Sequence, residues 1–326
     1  MNVGILGAGG IAGKMADTIA EMSETKNYAV ASRSIRKAEI FADRHGVERA
    51  YGSYEEMLSD PDVDLVYIAL PHSHHYEWTI KTLSAGKNVL CEKAFAVNEA
   101  QAKEMIDTAR AKGLLLAEAI WTRYMPSRKI IEEIVTSGVI GEIKTISANL
   151  GYRIDHVDRL TNPALAGGSL LDLTVYPLNF VSMIWGDEIQ EINANCVYTE
   201  TGVDGIDNVM LKYPGGRAAN LFTTIYARTD RRGTLYGDKG YIEVLNINNP
   251  EKISVFDTET GDALLLKEYD VPKQISGYEY EVLACKRAIE NGQTECEEMP
   301  HSEILKMMHL MDDIRKSFGI VYPEEK

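Results

Sequence analysis

The first third of the chain alternates short apolar runs with amphipathic stretches. The apolar runs predict buried strands at Val3–Leu6, Tyr28–Ser32, Leu65–Leu70, Asn88–Cys91 and Leu114–Ala117. The stretches between them predict helices. Strands that alternate with helices are typical of βαβ units around a parallel sheet. We therefore expect an α/β fold whose first domain, residues 1–122, contains a parallel sheet.

The pattern changes after Pro126. The predicted elements are a helix over 126–138, a strand over 142–152, a helix over 172–185, successive strands over 189–269, and helices over 276–290 and 302–318. Adjacent strands without intervening helices indicate an antiparallel or mixed sheet. Residues 123–326 are therefore expected to form a second, α+β domain with a large, mostly antiparallel sheet.

Length and composition narrow the class of protein. The 326 residues suit two domains, and the formal net charge of −15 argues against nucleic acid or an anionic membrane as a partner. No apolar run approaches about 18 residues and the chain opens on a strand, so we expect neither a membrane span nor a signal peptide. Four cysteines without a C-x-x-C pair favour reduced thiols and a cytoplasmic location.

A glycine-rich turn follows the first strand. Gly7, Gly9 and Ala12 fit the G-x-G-x-x-G/A pattern, in which the two glycines allow a tight turn and close approach of a pyrophosphate. The following helix, with Gly10 and Ile11 in its first turn, would direct its N–H groups and positive end toward that pyrophosphate. We expect a Rossmann-type dinucleotide site here; a glycine-rich turn in another α/β fold is the alternative.

The end of the second predicted strand indicates which dinucleotide binds. An NAD site usually has an acidic residue there, whereas an NADP site has arginine. This chain has Ser32, Arg33 and Ser34, and no carboxylate before Glu39. The stretch favours NADP, with NAD possible, although it could also be the basic start of a surface helix.

Four stretches resemble the Gfo/Idh/MocA oxidoreductases: GILGAGGIA near the start, AGKNVLCEKA at 85–94, EAIWTRYMP at 118–126 and GGSLLDLTVYP at 167–177. The resemblance covers essentially the whole chain. It is greatest to the branch that contains dimeric dihydrodiol dehydrogenases and NADP-dependent xylose dehydrogenases. It implies a Rossmann domain followed by a domain with an open-faced sheet that often forms the dimer interface.

The resemblance implies further cofactor contacts at the carboxyl ends of later strands. These candidates are Leu70, Pro71, His72, His75, Glu92, Lys93, Trp121 and Arg123. His72, His74 and His75 also have a spacing that suits loop ligands of a metal. No Cys or acid lies nearby to complete such a set, so we expect no metal. Trp121 and Arg123 could instead anchor the joint between the domains.

The catalytic residues implied by the resemblance are Lys93, Asp172 and Tyr176, with Asp172 and Tyr176 four apart on one helix face. Loss of hydride from a C–H requires loss of the hydroxyl proton, and a lysine cation favours the phenolate form of a tyrosine. Asp172 could hold the substrate hydroxyl or orient Lys93. Ala94 replaces the proline that follows the lysine in the family, so the chain must hold Lys93 in another way or aim it differently.

Arg153 and His156 are further candidates for contacts to substrate hydroxyls, together with Asp172 and Tyr176. A solvated loop is the alternative for Arg153 and His156. The sequence therefore predicts an NADP-dependent oxidoreductase acting on a secondary alcohol or ketone of a sugar, polyol or cyclic trans-diol, working as a homodimer. The alternatives are a non-catalytic dinucleotide- or sugar-sensing regulator on the same fold and an NAD-retaining glycoside-modifying enzyme.

Overall fold

A computed structural model describes residues 1–325. The first elements are β1 (Asn2–Leu6), α1 (Gly10–Ala20), β2 (Lys26–Ala31), α2 (Ile35–His45), β3 (Arg49–Tyr51), α3 (Tyr54–Leu58), β4 (Leu65–Ile68), α4 (His75–Ser84), β5 (Asn88–Glu92), α5 (Glu99–Lys112) and β6 (Leu116–Ala119). The six strands pair in parallel in the order β3-β2-β1-β4-β5-β6. This order is that of the doubly wound dinucleotide-binding fold, and it confirms the expected parallel sheet.

The remaining elements are α6 (Pro126–Thr136), β7 (Ile143–Gly151), α7 (Asp158–Thr161), a π-helical turn (Leu170–Thr174), α8 (Val175–Trp185), β8 (Glu191–Tyr198), β9 (Asp204–Tyr213), β10 (Arg217–Thr224), β11 (Gly233–Gly237), β12 (Gly240–Leu245), β13 (Lys252–Asp257), β14 (Leu264–Asp270), α9 (Glu279–Glu290) and α10 (His301–Phe318). The eight strands pair in the order β14-β13-β12-β11-β7-β10-β9-β8. Only the β7–β10 pair is parallel among the described strands of this sheet. The mostly antiparallel sheet is therefore confirmed.

The chain divides into two compact units. The first comprises Met1–Tyr124 and Gln274–Met308, and the second comprises Met125–Lys273 with the chain from His309 onward. The sequence analysis placed all residues after 122 in the second domain. In the structure, the segment Gln274–Met308 instead returns to the first unit and belongs to it. The Leu116 N–H donates to the Thr294 carbonyl, and the His301 ring lies 2.9 Å from the Leu116 carbonyl.

Helix α8 supplies much of the second unit's core. All residues from Val175 to Ser182 are buried, and the Phe180 ring packs where Gly233 of β11 leaves room for it. Contrary to the sequence expectation, the segment Pro163–Trp185 is long and apolar enough to cross a membrane by composition alone. Of the most apolar stretch of this segment, 89% is buried inside the protein, as in the core helix of a globular domain.

Candidate functional site

The first unit folds the glycine-rich turn so that β1 passes directly into α1. Gly7 has a φ of 107°, and its N–H donates to the Ala31 carbonyl at 3.0 Å. A Cβ on Gly7 would lie 2.5 Å from the Ala69 carbonyl oxygen. Only glycine fits this position, because both the backbone angle and the close approach exclude a side chain.

The N-terminus of α1 is left open. Gly9 is its N-cap and carries no capping side chain, and the first turn contains no acidic residue. A Cβ on Gly9 or Gly10 would meet no atom of the described chain within 4 Å. By contrast, the N-terminus of α5 is capped by the Asn98 side chain, which accepts from the Gln101 N–H at 2.9 Å. The α1 terminus therefore has free N–H groups, a positive dipole end and open space, which fits a dinucleotide pyrophosphate.

The carboxyl end of β2 is basic and carries hydroxyls. Ser32 is buried, and its N–H donates to the Tyr51 carbonyl at 3.2 Å, whereas Arg33 and Ser34 are exposed. Ser34 is the N-cap of α2, but its hydroxyl makes no capping hydrogen bond, and the first turn of α2 has no acidic residue. These groups fit a 2′-phosphate, because an arginine and a free hydroxyl can both donate to it.

His75 connects two of the predicted cofactor segments. Its ring is fully buried, with Nδ1 2.8 Å from the Ala94 carbonyl and Nε2 2.8 Å from the Leu70 carbonyl. Burial lowers the pKa of His75 to about 4, although the two carbonyls act in the opposite direction. A neutral imidazole has one N–H, so the ring donates to one of these two carbonyls and packs against the other. The ring thus lies between the Leu70–Pro71 segment and the chain after Lys93. We infer that His75 holds these two backbone segments in place, while His72 lies buried beside it, with ring centroids 5.7 Å apart.

Glu92 and Lys93 lie where β5 ends. Glu92 is buried, accepts a hydrogen bond from the Tyr67 hydroxyl, and accepts another from the Lys93 N–H at 3.2 Å. The Lys93–Ala94 peptide bond is cis. Lys93 itself is half-buried. The side chain of Glu92 thus secures the backbone from which Lys93 projects.

Two further buried carboxyls lie close to Glu92. Glu118, at the end of β6, accepts from the Phe95 N–H at 3.2 Å, and Glu281 of α9 is fully buried. Neither carboxylate oxygen of Glu281 has a hydrogen-bond partner within the described part of the chain. Burial raises the pKa of Glu118 to about 7, against the nearby charge of Arg123, and burial with the Glu92 charge raises the pKa of Glu281. The sequence analysis missed this cluster because Glu281 reaches it only through the fold.

Trp121 and Arg123 are buried in the turn after β6. Trp121 stacks on Tyr278 with ring centroids 4.2 Å apart and an interplanar angle of 9°. Arg123 Nη1 lies 3.6 Å from Glu303 Oε2. Within the first unit, these contacts join the turn after β6 to the segment Gln274–Met308. Direct contact of Trp121 or Arg123 with a cofactor stays a prediction.

In the second unit, Asp172 lies on the π-helical turn and is held by Arg159. Arg159 Nη1 donates to Asp172 Oδ1 at 2.7 Å, and the Asp172 side chain is 6% exposed. Arg159 was not predicted from the sequence, because it lies 13 residues before Asp172 and an irregular stretch of chain separates the two. The predicted helix from Asp172 also differs from the structure, since the α-helix begins only at Val175. Single π turns inside helices occur frequently at functional sites.

Tyr176 follows in the first turn of α8 and is 9% exposed. Arg153 and His156 lie on the exposed loop between β7 and α7, and His156 Nδ1 is 4.0 Å from Asp155 Oδ1. The structure therefore places Asp172 and Tyr176 on one continuous helical segment. It leaves both alternatives for Arg153 and His156, substrate contact or solvated loop, in place.

The predicted site residues thus form two groups. The candidate cofactor residues of the first unit lie at the carboxyl ends of β1, β2, β4, β5 and β6, where ligands bind in open α/β sheets. Asp172, Tyr176, Arg153 and His156 belong to the second unit. An open helix N-terminus at the glycine turn, together with the strand order, defines the first unit as a dinucleotide-binding domain of the Rossmann class.

Comparison with known proteins gives the family. Residues 1–119 match the model of an oxidoreductase family with an NAD-binding Rossmann fold, and residues 129–243 match that of the Gfo/Idh/MocA C-terminal domain. The trans-1,2-dihydrobenzene-1,2-diol dehydrogenase of Bos taurus is 36% identical over 93% of this chain and 92% of its own. That of Mus musculus is 34% identical over 99% and 98%. The chain belongs to the Gfo/Idh/MocA oxidoreductase family, which confirms the resemblance.

Solved structures agree over nearly the whole chain. A 3-ketoreductase from Actinomadura kijaniata, in complex with NADP and TDP-benzene, is 26% identical with a TM-score of 0.88 and covers 97% of both chains. An aldose-aldose oxidoreductase from Caulobacter crescentus, complexed with glycerol, is 26% identical with a TM-score of 0.85 over 97% of both chains. The expected fold and the oxidoreductase class are therefore confirmed.

Proposed function

We propose that the protein is an NADP-dependent oxidoreductase that interconverts the secondary alcohol and ketone of a sugar, polyol or cyclic trans-diol. The observation that carries the choice of cofactor is the chain at the end of β2. Arg33 and the Ser34 hydroxyl, which makes no capping hydrogen bond, lie there in place of the carboxylate of an NAD site. Family membership supports the reaction class.

The substrate class is supported by the named relatives. The curated relatives reported above act on trans-1,2-dihydrobenzene-1,2-diol, a cyclic diol, and the solved structures include a 3-ketoreductase and an aldose-aldose oxidoreductase. These substrates share a secondary C–OH or C=O with further oxygen substituents nearby. A carbon centre of this kind is what we expect the protein to oxidise or reduce.

The residues of the first unit fit the proposed cofactor. When bound, NADP supplies a nicotinamide that carries the hydride. The N–H groups at Gly9, Gly10 and Ile11 would hold the pyrophosphate, and Arg33 with Ser32 and Ser34 would hold the 2′-phosphate. Glu92 accepts from the Lys93 N–H and the His75 ring lies against the Ala94 carbonyl, so both help to hold the backbone that carries Lys93.

The second unit supplies the proposed proton chemistry. Tyr176 would move the proton of the substrate hydroxyl at its phenolic oxygen, and Asp172, fixed by Arg159, would hold that hydroxyl. Lys93 is assigned the positive charge that favours the deprotonated oxygen. Arg153 and His156 are assigned contacts to the other hydroxyls of the substrate.

The first experiment is a fluorescence titration with NADPH and, separately, NADH. We expect tighter binding of NADPH, and an Arg33→Ala variant that weakens NADPH about tenfold or more while leaving NADH unchanged. Arg44→Ala, which removes the same charge near the far end of α2, is the matched control. Equal binding of both dinucleotides would contradict the 2′-phosphate site.

Turnover of trans-diols and sugars with NADP then tests the reaction. Loss of turnover in Lys93→Ala and Tyr176→Phe, with NADPH binding retained, is the expected result. Tight dinucleotide binding without turnover of any polyol would favour the regulator alternative, and NAD that copurifies with the protein would favour the glycoside-modifying one.

We further propose a cytoplasmic homodimer formed through the open face of the second unit's sheet. On that face, Tyr236, Tyr241 and Phe256 form a row across β11, β12 and β13, with ring centroids 5.9 and 4.6 Å apart. Phe222 of β10 has the same orientation and is 37% exposed. A contiguous aromatic surface of this kind favours burial against a second copy.

A further inference from the structure

Two aspartates are buried directly beneath the segment that carries Asp172. Asp204 and Asp207, both on β9, have no exposed surface. Asp204 Oδ2 accepts from the Leu170 N–H, and the backbone of Gly168 passes so close that a Cβ there would lie 2.2 Å from Asp204 Oδ1. Asp204 therefore binds the backbone at the start of the π-helical turn.

Asp207 binds the other end of the same turn. Its Oδ2 accepts from the Thr174 hydroxyl at 2.6 Å and from the Thr223 hydroxyl at 3.4 Å. The Thr174 and Thr223 hydroxyls are themselves 2.6 Å apart, and Ser169 reaches Thr223 at 2.8 Å. The first and last residues of the π-helical turn are thus both fixed to one pair of carboxyls.

A break in the strand register brings these carboxyls together. In a regular strand, residues three apart face opposite sides. The pairing of β8 with β9 shifts between Val197 and Tyr198, which pair with Ile206 and Asp204, and this leaves Gly205 without a partner on β8. The bulge places Asp204 and Asp207 on the same buried side.

The surroundings of the pair favour a shared proton. One oxygen of each carboxyl, Oδ1 of Asp204 and Oδ1 of Asp207, has no partner in the part of the chain that the structure describes. The other titratable groups that face the pair are Cys196 and Tyr198 of β8, Tyr322 near the C-terminus, and, around Tyr322, Arg315 and Glu325. Arg315 is engaged by Asp312 and Glu325. Burial raises the pKa of Asp204 to about 6, and burial with the Asp204 charge raises the pKa of Asp207 further.

We propose that Asp204 and Asp207 are positioning residues of the reaction: sharing one proton, they clamp both ends of the π-helical turn and so fix the direction of Asp172 and the start of α8 at Tyr176. This inference rests on the proposed function, since it concerns how the assigned catalytic groups are held. Two unprotonated carboxylates in this buried place would repel each other and loosen the clamp.

Infrared difference spectroscopy tests the shared proton without any need for turnover. Glu118 and Glu281, whose pKa values burial also raises, contribute bands of the same kind to both proteins. In the difference between the wild-type and Asp207→Asn spectra at neutral pH, we therefore expect one further carbonyl band of a protonated carboxylic acid that only the wild type has. Asp60→Asn is the matched control, because Asp60 is also buried but binds Tyr28 and Tyr51 in the first unit. A spectrum that does not change in Asp207→Asn would overturn the shared proton.

Kinetics test the positioning role. Thr174→Val removes the hydroxyl that joins the turn to Asp207, and we expect kcat to fall at least tenfold with NADPH affinity unchanged. In the wild type, loss of the shared proton at higher pH should loosen the clamp and lower kcat. Asp207→Asn keeps an acceptor for Thr174 and has no such proton to lose. The ratio of its kcat to that of the wild type should therefore rise with pH. Asp60→Asn should lower thermal stability without either effect.

The outcomes separate the two proposals. The clamp would be overturned if folded Thr174→Val had a normal kcat and the ratio of the Asp207→Asn kcat to the wild-type kcat did not change with pH. The assignment as an enzyme would then stay intact. A wild-type protein that binds no dinucleotide and turns over no polyol would overturn the proposed function, and the catalytic role of the clamp with it, whereas the infrared band would still report the shared proton.

Discussion

At the scale of single residues, the buried Glu118 makes the stability of the folded protein depend on pH. Burial raises its pKa from 4.5 to about 7, so between these values the folded state holds a proton that the unfolded state has lost. The contribution of Glu118 to the free energy of unfolding should therefore fall by about 3 kcal/mol as the pH rises from 4.5 to 7, and stay level above that.

Urea denaturation of Glu118→Gln at pH 5 and at pH 8 measures this contribution. The variant should lose less stability than the wild type between the two pH values, because glutamine has no proton to release. The exposed Glu39→Gln controls for loss of a carboxylate on the surface. A variant that follows the wild-type pH dependence would contradict the assignment to Glu118.

Arg159 gives a second prediction at this scale. Arg159→Gln removes a charge-assisted bond to a buried carboxylate, which is worth about 1.5–3 kcal/mol. We expect kcat to fall about tenfold to a hundredfold with NADPH binding unchanged, since Asp172 would no longer be held in one direction. Arg228→Gln, on an exposed loop of the same unit, should leave kcat as it is. Unchanged turnover in Arg159→Gln would argue against a role for Asp172 in the reaction.

At the scale of secondary-structure elements, Gly168 shows how the turn over β9 is packed. Its φ is 123°, and a Cβ would overlap the Asp204 carboxylate, whereas Gly261 has a φ of 98° with open space around it. Gly168→Ala should therefore cost about 3 kcal/mol or more and lower kcat. Gly261→Ala should show only the backbone cost of about 1–2 kcal/mol. Thermal and urea denaturation measure both losses. If the two variants lost the same stability, the turn at Gly168 would have relaxed around the added methyl group.

The element scale also shows where sequence patterns succeed. Helices α3 and α5 begin where a serine or asparagine precedes them: Ser53 accepts from the Glu56 N–H at 3.2 Å and Asn98 from the Gln101 N–H at 2.9 Å. Five of the six strands of the parallel sheet were predicted, because their apolar runs are buried on both faces. The edge strand β3 was missed, because its residues are exposed or half-buried and form no apolar run. The π-helical turn at Leu170–Thr174 had no such signal, since its hydrogen bonds follow from Asp204 and Asp207, more than thirty residues later.

At the scale of the whole molecule, the open sheet face predicts the oligomeric state. Tyr236→Lys combined with Phe222→Lys would place two charges within the proposed aromatic interface. We expect the wild type to sediment as a dimer and the double variant as a monomer with unchanged helical content. Ile40→Lys, at an exposed apolar position of α2 that is 51% accessible, is the control. A wild-type monomer, or a double variant that stays dimeric, would rule out this interface.

The sequence by itself determined the parallel sheet, the glycine turn and the family. These depend on local spacing and on apolar runs, and each is encoded within a few neighbouring residues, such as Gly7, Gly9 and Ala12. Arg33 could also be found from the sequence, because its place at the end of a strand is fixed once β2 is recognised.

Only the tertiary structure decided which distant groups share an environment. Glu281 joins Glu92 and Glu118 because the segment Gln274–Met308 returns to the first unit. Asp204 and Asp207 meet because a bulge at Gly205 changes the strand register, and Arg159 reaches Asp172 across an irregular loop. The physical reason is that burial and electrostatic coupling depend on distance in space, which side-chain periodicity along the chain does not encode.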